Sequence, residues 1–173
     1  MSGTYTILLS GLKEGHHTLD FEIDKEFFEQ FEESEVKEGS LLANIEMDKR
    51  TTHIDLIIRV SGSVRISCDR CLEMFSQPVS SENRILVKFG KSIDDIDPDI
   101  ISVSLDENEL DLQQQLYEFI MLALPIKRVH PADKKGKSVC DPVMLKKLEE
   151  LLIEEEKEND PRWDELKKLM NDN

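Results

Sequence analysis

Cysteine is scarce: three of the 173 residues, an odd number. That count excludes the disulfide framework of a small secreted domain and fits a reducing compartment. The seven glycines stand singly, so no glycine-rich loop exists to cradle a phosphate. There is no Gly-x-Ser-x-Gly elbow and no His-x-x-x-His pair, which removes two common hydrolase signals. The longest apolar run, Phe119–Pro125, is far short of the roughly 20 residues that a membrane helix needs. The opening Met1-Ser2-Gly3-Thr4-Tyr5 has no basic region followed by an apolar stretch, so no signal peptide is expected. The expected location is the cytoplasm, with no membrane partner.

Positive charge is also in short supply. Lys and Arg number 22 against 37 Asp and Glu, for a net charge of −15. Such a chain gains little from the counterion release that drives non-specific nucleic-acid binding, so any contact with RNA must be local. The acid lies mainly at the ends, in Glu26–Glu38 and Glu149–Asp172. Residues 49–88 hold seven Lys/Arg against four Asp/Glu, and Lys127, Arg128, Lys134, Lys135 and Lys137 face only Asp133 within 127–137.

Against these absences stands one strong pattern. Leu41, Ala43, Ile45 and Met47 alternate with polar residues, as do Ile54, Leu56, Ile58, Val60, Val64 and Ile66, and then Ile85, Val87 and Phe89. Period-two alternation over three long segments predicts half-buried strands. Turns at Asp48–Thr51 and Asp69–Arg70 make them an antiparallel meander. Gly62 in mid-strand predicts a bulge or bend. Tyr5–Leu9 and Thr18–Ile23 read as short strands, Asp24 as the cap of a short helix carrying Phe27, Phe28 and Phe31, and Ile100–Leu105 as another short strand. A helix from Asp111, with Leu112, Leu116, Phe119, Ile120 and Ala123 at helical spacing, closes at Pro125 and should cover the sheet.

The expected fold class is α+β: an antiparallel, strongly curved sheet, a meander or partly closed barrel, covered by a helix. Residues 1–125 make this core. Residues 126–173 are expected as an appendage, a basic loop followed by acidic amphipathic helices. Asp141-Pro142 and Asp160-Pro161 each combine a cap with proline at the first helical position. Trp163, the only tryptophan, is an aromatic anchor for the body or a partner.

Chemistry is concentrated in Cys68-Asp69-Arg70-Cys71. A two-residue gap in a tight turn lets both sulfurs face one point, half of a tetrahedral zinc site. Cys140 and His130 are the candidates for the other half, although their ten-residue spacing is not that of a usual knuckle. Three readings stay open: buried reduced thiols, a metal site, or a redox pair. Asp94, Asp95, Asp97 and Asp99 lack the glycine and downstream glutamate of a calcium loop and read as a solvated acidic loop. His16, His17 and His53 have no nucleophile placed to use them. No catalytic residues, cofactor or small-molecule substrate are expected, apart from a zinc ion at the cysteines.

Val60-Ser61-Gly62-Ser63-Val64 leading into Cys68-Asp69-Arg70-Cys71-Leu72, a helix from Glu109-Leu110-Asp111-Leu112 to Leu122-Ala123-Leu124-Pro125, and the ending Asp160-Pro161-Arg162-Trp163 with Leu166-Lys167-Lys168-Leu169 form an ordered set. In this set the chain resembles the YceD family of large ribosomal RNA subunit accumulation proteins, over nearly its whole length. The resemblance implies a non-enzymatic role in large-subunit rRNA accumulation, with rRNA or large-subunit ribosomal proteins as partners. Many relatives carry a cysteine-rich segment before the Asp-Pro-Arg-Trp ending. Here His130–Lys137 has none and only Cys140 remains, a departure that argues against metal. On the assembly reading, the contacts are Arg59, Arg65, Arg84 and Lys88 on the polar sheet face, the segment Lys127–Lys137, and Trp163. The alternative is a zinc- or redox-responsive binding module built on Cys68 and Cys71.

Overall fold

The computed structural model describes residues 5–90, 99–104, 106–133 and 135–152. Expectations that fall on the loop 91–98, on Lys134, on Trp163 and on the helix after Asp160 lie outside them. The described chain runs β1 (Thr6–Leu8), β2 (Gly15–Ile23), α1 (Lys25–Glu29), β3 (Glu38–Lys49), β4 (His53–Ser67), β5 (Met74–Phe89), β6 (Ile100–Val103), β7 (Glu109–Asp111), α2 (Gln113–Leu122) and α3 (Pro142–Leu151).

The protein is α+β. Its main sheet has the order β2-β3-β4-β5-β6, antiparallel except for the parallel pair β5–β6. The meander therefore forms where the alternation predicted it. The sheet is open, with β2 and β6 as its two edges, and it is not strongly curled, which corrects the barrel and curvature expected from the pattern. Closure would need the edge strands to pair, but β6 follows β5 in parallel and a separate ribbon, β1–β7, forms instead.

The expected bulge at Gly62 is also absent. Register runs unbroken through the Leu41↔Gly62 and Gly62↔Val79 pairs. The glycine answers a different need: its φ is +147°, and a Cβ there would lie 2.3 Å from the Ser40 carbonyl oxygen and 2.6 Å from the Leu41 Cα. It permits close approach of β3.

One face of the sheet is dry. Ala43, Ile45, Ile54, Leu56, Ile58, Val64, Ile85 and Val87 are buried there, together with Phe27 and Phe28 of α1 and Leu116 and Ile120 of α2. Each of these side chains larger than Ala43 contributes about 1.5–3 kcal/mol by leaving water. α1 starts where Asp24 accepts the Glu26 N–H at 2.9 Å, as its position predicted. The first helical turn of α2 is tied by Asp111, which accepts the Gln113 N–H at 2.9 Å. A stacked pair, Phe31 and Tyr117 with centroids 4.0 Å apart, joins the two helical segments. The β1–β7 ribbon adds Tyr5, Ile7, Leu9 and Leu110 to the same core.

Candidate metal centre and its basic surround

The turn after β4 is built like a knuckle. The Leu72 N–H bonds back to the Cys68 carbonyl at 2.9 Å, the Cys68 N–H to the Glu73 carbonyl at 2.9 Å, and the Arg70 N–H points at the Cys68 sulfur at 3.5 Å. Closing this loop forces Leu72 to a φ of +62°, the one non-glycine residue with positive φ among those described. A left-handed leucine costs energy that the surrounding bonds must offset. Its side chain is exposed, so packing does not demand the conformation. The turn does.

The other half arrives from the segment after α2. Asp69 takes that segment in a two-bond grip: its N–H donates to the Arg128 carbonyl at 2.7 Å, and its carboxylate accepts the Arg128 N–H at 2.7 Å. Two residues on, the His130 ring packs against Phe75 of β5, with centroids 4.8 Å apart. Asp133 folds the following loop by accepting the Lys135 and Lys137 N–H groups, each at 2.8 Å. Cys140 then enters the core immediately before α3, which Asp141 caps by accepting the Val143 N–H at 3.0 Å.

Four ligand atoms converge as a result. The Cys68 and Cys140 sulfurs are 3.6 Å apart, Cys71 Sγ lies 3.4 Å from His130 Nδ1, and Cys140 Sγ lies 3.5 Å from the same nitrogen. All four lie within 4.8 Å of one another, and this group can hold a metal ion. The three cysteines are free and buried. Sulfurs at this separation are far from the roughly 2.05 Å of a disulfide. At Cys68, burial raises the thiol pKa, but the N–H groups of Cys71, Arg70 and His130 and the Cys140 thiol outweigh it and bring the value down to about 6. At Cys71 burial prevails, helped by the neighbouring Cys68 and Cys140 thiols, and the pKa rises. The departure in the 130–137 segment is thus made good in space: one histidine and one distant cysteine complete a four-donor set.

The cations expected to meet a partner divide into two groups. On the polar sheet face, Arg59 sits between Glu46 and Glu82, at 2.6 Å from each. Arg84 pairs with Asp55 at 2.9 Å and Arg65 with Glu38 at 3.5 Å. Lys88 is also engaged. In the segment after α2, Arg128 pairs with Glu35. Lys127, Lys135 and Lys137 are exposed, and no carboxylate among the described residues pairs with them. Sequence reasoning placed Arg70 in the turn and the family motif but not among the contact residues; it is exposed on the knuckle and likewise without a carboxylate partner among the described residues. It gave Phe75 no role, and Asp69 and Leu72 none beyond their place in that motif. Arg70 and Asp69 were visible between the two cysteines. The role of Phe75 depends on a contact with His130 that no local pattern encodes.

No helix among the described residues is long and apolar enough to cross a membrane. Comparison with curated proteins and with solved structures returns no match. The profile of the family described as "Large ribosomal RNA subunit accumulation protein YceD" matches residues 56–170, about two-thirds of the chain. That span runs from near the start of β4 through the knuckle, α2, the basic segment and α3. The chain belongs to the YceD family.

Proposed function

We propose that this protein is a non-enzymatic, cytoplasmic factor that supports large-subunit ribosomal RNA accumulation by binding rRNA or ribosomal proteins of the assembling subunit. The family match over residues 56–170 carries this reading. The distribution of charge supports it. A sheet core screened by its own ion pairs leaves a basic segment, Lys127–Lys137, as the local contact region on an otherwise acidic molecule. On this reading residues 126–173 are a partner-facing extension of the 1–125 core, and Trp163 is its aromatic anchor.

A zinc ion fits the four-donor site as a structural staple. Tetrahedral zinc with bonds of about 2.3 Å to sulfur and 2.0 Å to imidazole sets sulfurs about 3.8 Å apart and sulfur and nitrogen about 3.5 Å apart. The observed 3.6, 3.4 and 3.5 Å match these edges. Zinc would supply a cross-link between β4 and the segment after α2. The chain's own residues prepare it: the Arg70 N–H faces the Cys68 sulfur, and Phe75 packs against the His130 ring. A redox pair has no comparable support, since the geometry brings four donors together and not two sulfurs alone.

The test is co-sedimentation of the full-length protein with pre-50S particles, combined with measurement of 23S rRNA levels after deletion of its gene. Association with the particles and reduced 23S rRNA are expected. A protein that stays at the top of the gradient, with unchanged 23S rRNA in the deletion strain, would overturn the proposal.

A further inference from the structure

The two chain segments that lie between metal donors also carry cations that no carboxylate among the described residues satisfies. Arg70 stands between Cys68 and Cys71, and Lys135 and Lys137 between His130 and Cys140. We infer that the knuckle and residues 135–139 together form one binding surface for the phosphate backbone of RNA, assembled by the metal centre between them. The inference rests on the rRNA reading and on zinc at this site, and it chooses RNA over ribosomal proteins as the ligand of this face.

Three observations carry it. First, the local acids are occupied by the backbone: Asp69 by the Arg128 N–H, Asp133 by the N–H groups of Lys135 and Lys137, and Asp141 by the Val143 N–H. Each bond fixes the loop and engages a carboxylate with backbone, and none of these three carboxylates is ion-paired with Arg70, Lys127, Lys135 or Lys137. Glu73, next to the knuckle, is exposed, and Glu35 is paired with Arg128. Second, the sheet-face arginines give the opposite case. Arg59, Arg65 and Arg84 each hold a carboxylate, which a phosphate would have to displace while leaving that acid beside the RNA. Arg70, Lys127, Lys135 and Lys137 impose no such cost. Third, Lys127 is held at the same place, since Arg128 next to it is bonded to Asp69 of the knuckle through both backbone groups.

The net charge of −15 does not forbid this, because exposed charges more than about 8 Å away are largely screened at physiological ionic strength. It does ensure that affinity comes from the few cations of this face, so binding should show a shallow salt dependence set by a handful of phosphates.

The test compares two variants of equal net charge in the full-length, zinc-loaded protein. R70Q/K135Q/K137Q removes three cations from the proposed face, and R59Q/R65Q/R84Q removes three from the sheet. Binding to in vitro transcribed 23S rRNA is measured across a salt series, with zinc content and thermal unfolding recorded for each variant. The first variant should bind at least tenfold more weakly, with a salt slope reduced by about 2–3. The second should stay within twofold of wild type. Removing zinc with a chelator should weaken wild-type binding to a similar extent, and returning zinc should restore it. Equal losses in the two variants, no loss in the first, or full binding by the chelated protein would each overturn the inference. A wild-type protein that fails to bind 23S rRNA would also overturn it. If that protein still co-sediments with pre-50S particles, the assembly role stands and the contact passes through ribosomal proteins.

Discussion

Cys68 and Cys140 stand 72 positions apart in the chain and hold their sulfurs 3.6 Å from one another. One is the buried residue that directly follows β4, and the other ends the basic loop before α3. Long-range closure of this kind is costly in chain entropy, growing with the logarithm of loop length, and a metal clip recovers most where the loop is long. The basic segment is therefore positioned by two anchors, the bonds of the Asp69 N–H and carboxylate to the Arg128 backbone and the four-donor cluster.

Removing one donor should release the second anchor. Elemental analysis of purified wild-type protein should find about one zinc per chain, and Cys140→Ser should reduce it at least tenfold, since three donors rarely retain a structural ion. Limited proteolysis of C140S should open a new cleavage within 131–139, where the loop carries exposed lysines. A metal content that is zero in the wild type, or unchanged in C140S, would remove zinc from the picture.

Leu72 offers a test in the stabilising direction. Its φ of +62° and exposed side chain mean that the leucine adds strain without adding core contacts. Leu72→Gly should therefore stabilise the protein by about 1 kcal/mol, raising Tm by about 2–4 °C in a chain of this size. A fall in Tm would show that the exposed leucine has a packing role in the folded protein.

The sheet was legible because β3, most of β4 and the end of β5 alternate apolar and polar residues, and one buried face fixes the register. Ile54, Leu56 and Ile58 on one strand could only share a face. What lay beyond reach were contacts with no local signature. The three-residue strand Glu109–Asp111 pairs with Thr6–Leu8, about a hundred positions earlier in the chain; the first strand was legible in the sequence, but its partner is too short to show a period. The openness of the sheet follows from that ribbon and from the parallel β6, which residue alternation does not distinguish from an antiparallel neighbour. All four donors of the metal centre were visible in the sequence, Cys-x-x-Cys with Cys140 and His130 as the other half, but their convergence was not legible. The ten-residue gap between His130 and Cys140 is not that of a usual knuckle, and only the turn at Asp133 folds the chain between them.

Gly62 separates a bulge from a close approach. Since β3 and β4 stay in register through it, the demand is for space and for positive φ. Gly62→Ala would place a Cβ 2.3 Å from the Ser40 carbonyl oxygen, which belongs to backbone and cannot swing aside. The expected loss is about 3 kcal/mol or more, from backbone strain and a forced shift of β3. Chemical denaturation should show a lowered midpoint for G62A, whereas an unchanged midpoint would mean that the two strands are farther apart than described.

Phe75 should act on the metal through His130. The imidazole contributes Nδ1 to the cluster, and the Phe75 ring lies against it at a centroid distance of 4.8 Å. Outer partners that orient a ligand typically affect metal affinity by about 10–100-fold. Phe75→Leu preserves apolar burial on β5 but removes the flat surface that sets the angle of the ring. Zinc affinity, measured by competition with a chromogenic chelator, should fall about tenfold, while Phe75→Tyr, which keeps the ring, should stay close to wild type. Thermal stability of the zinc-free forms separates this from a general core defect: zinc-free F75L and zinc-free wild type should differ far less than their zinc-bound counterparts. If the zinc-free proteins differ as much as the loaded ones, Phe75 is a core residue alone and His130 takes its orientation from the Asp69–Arg128 bonds.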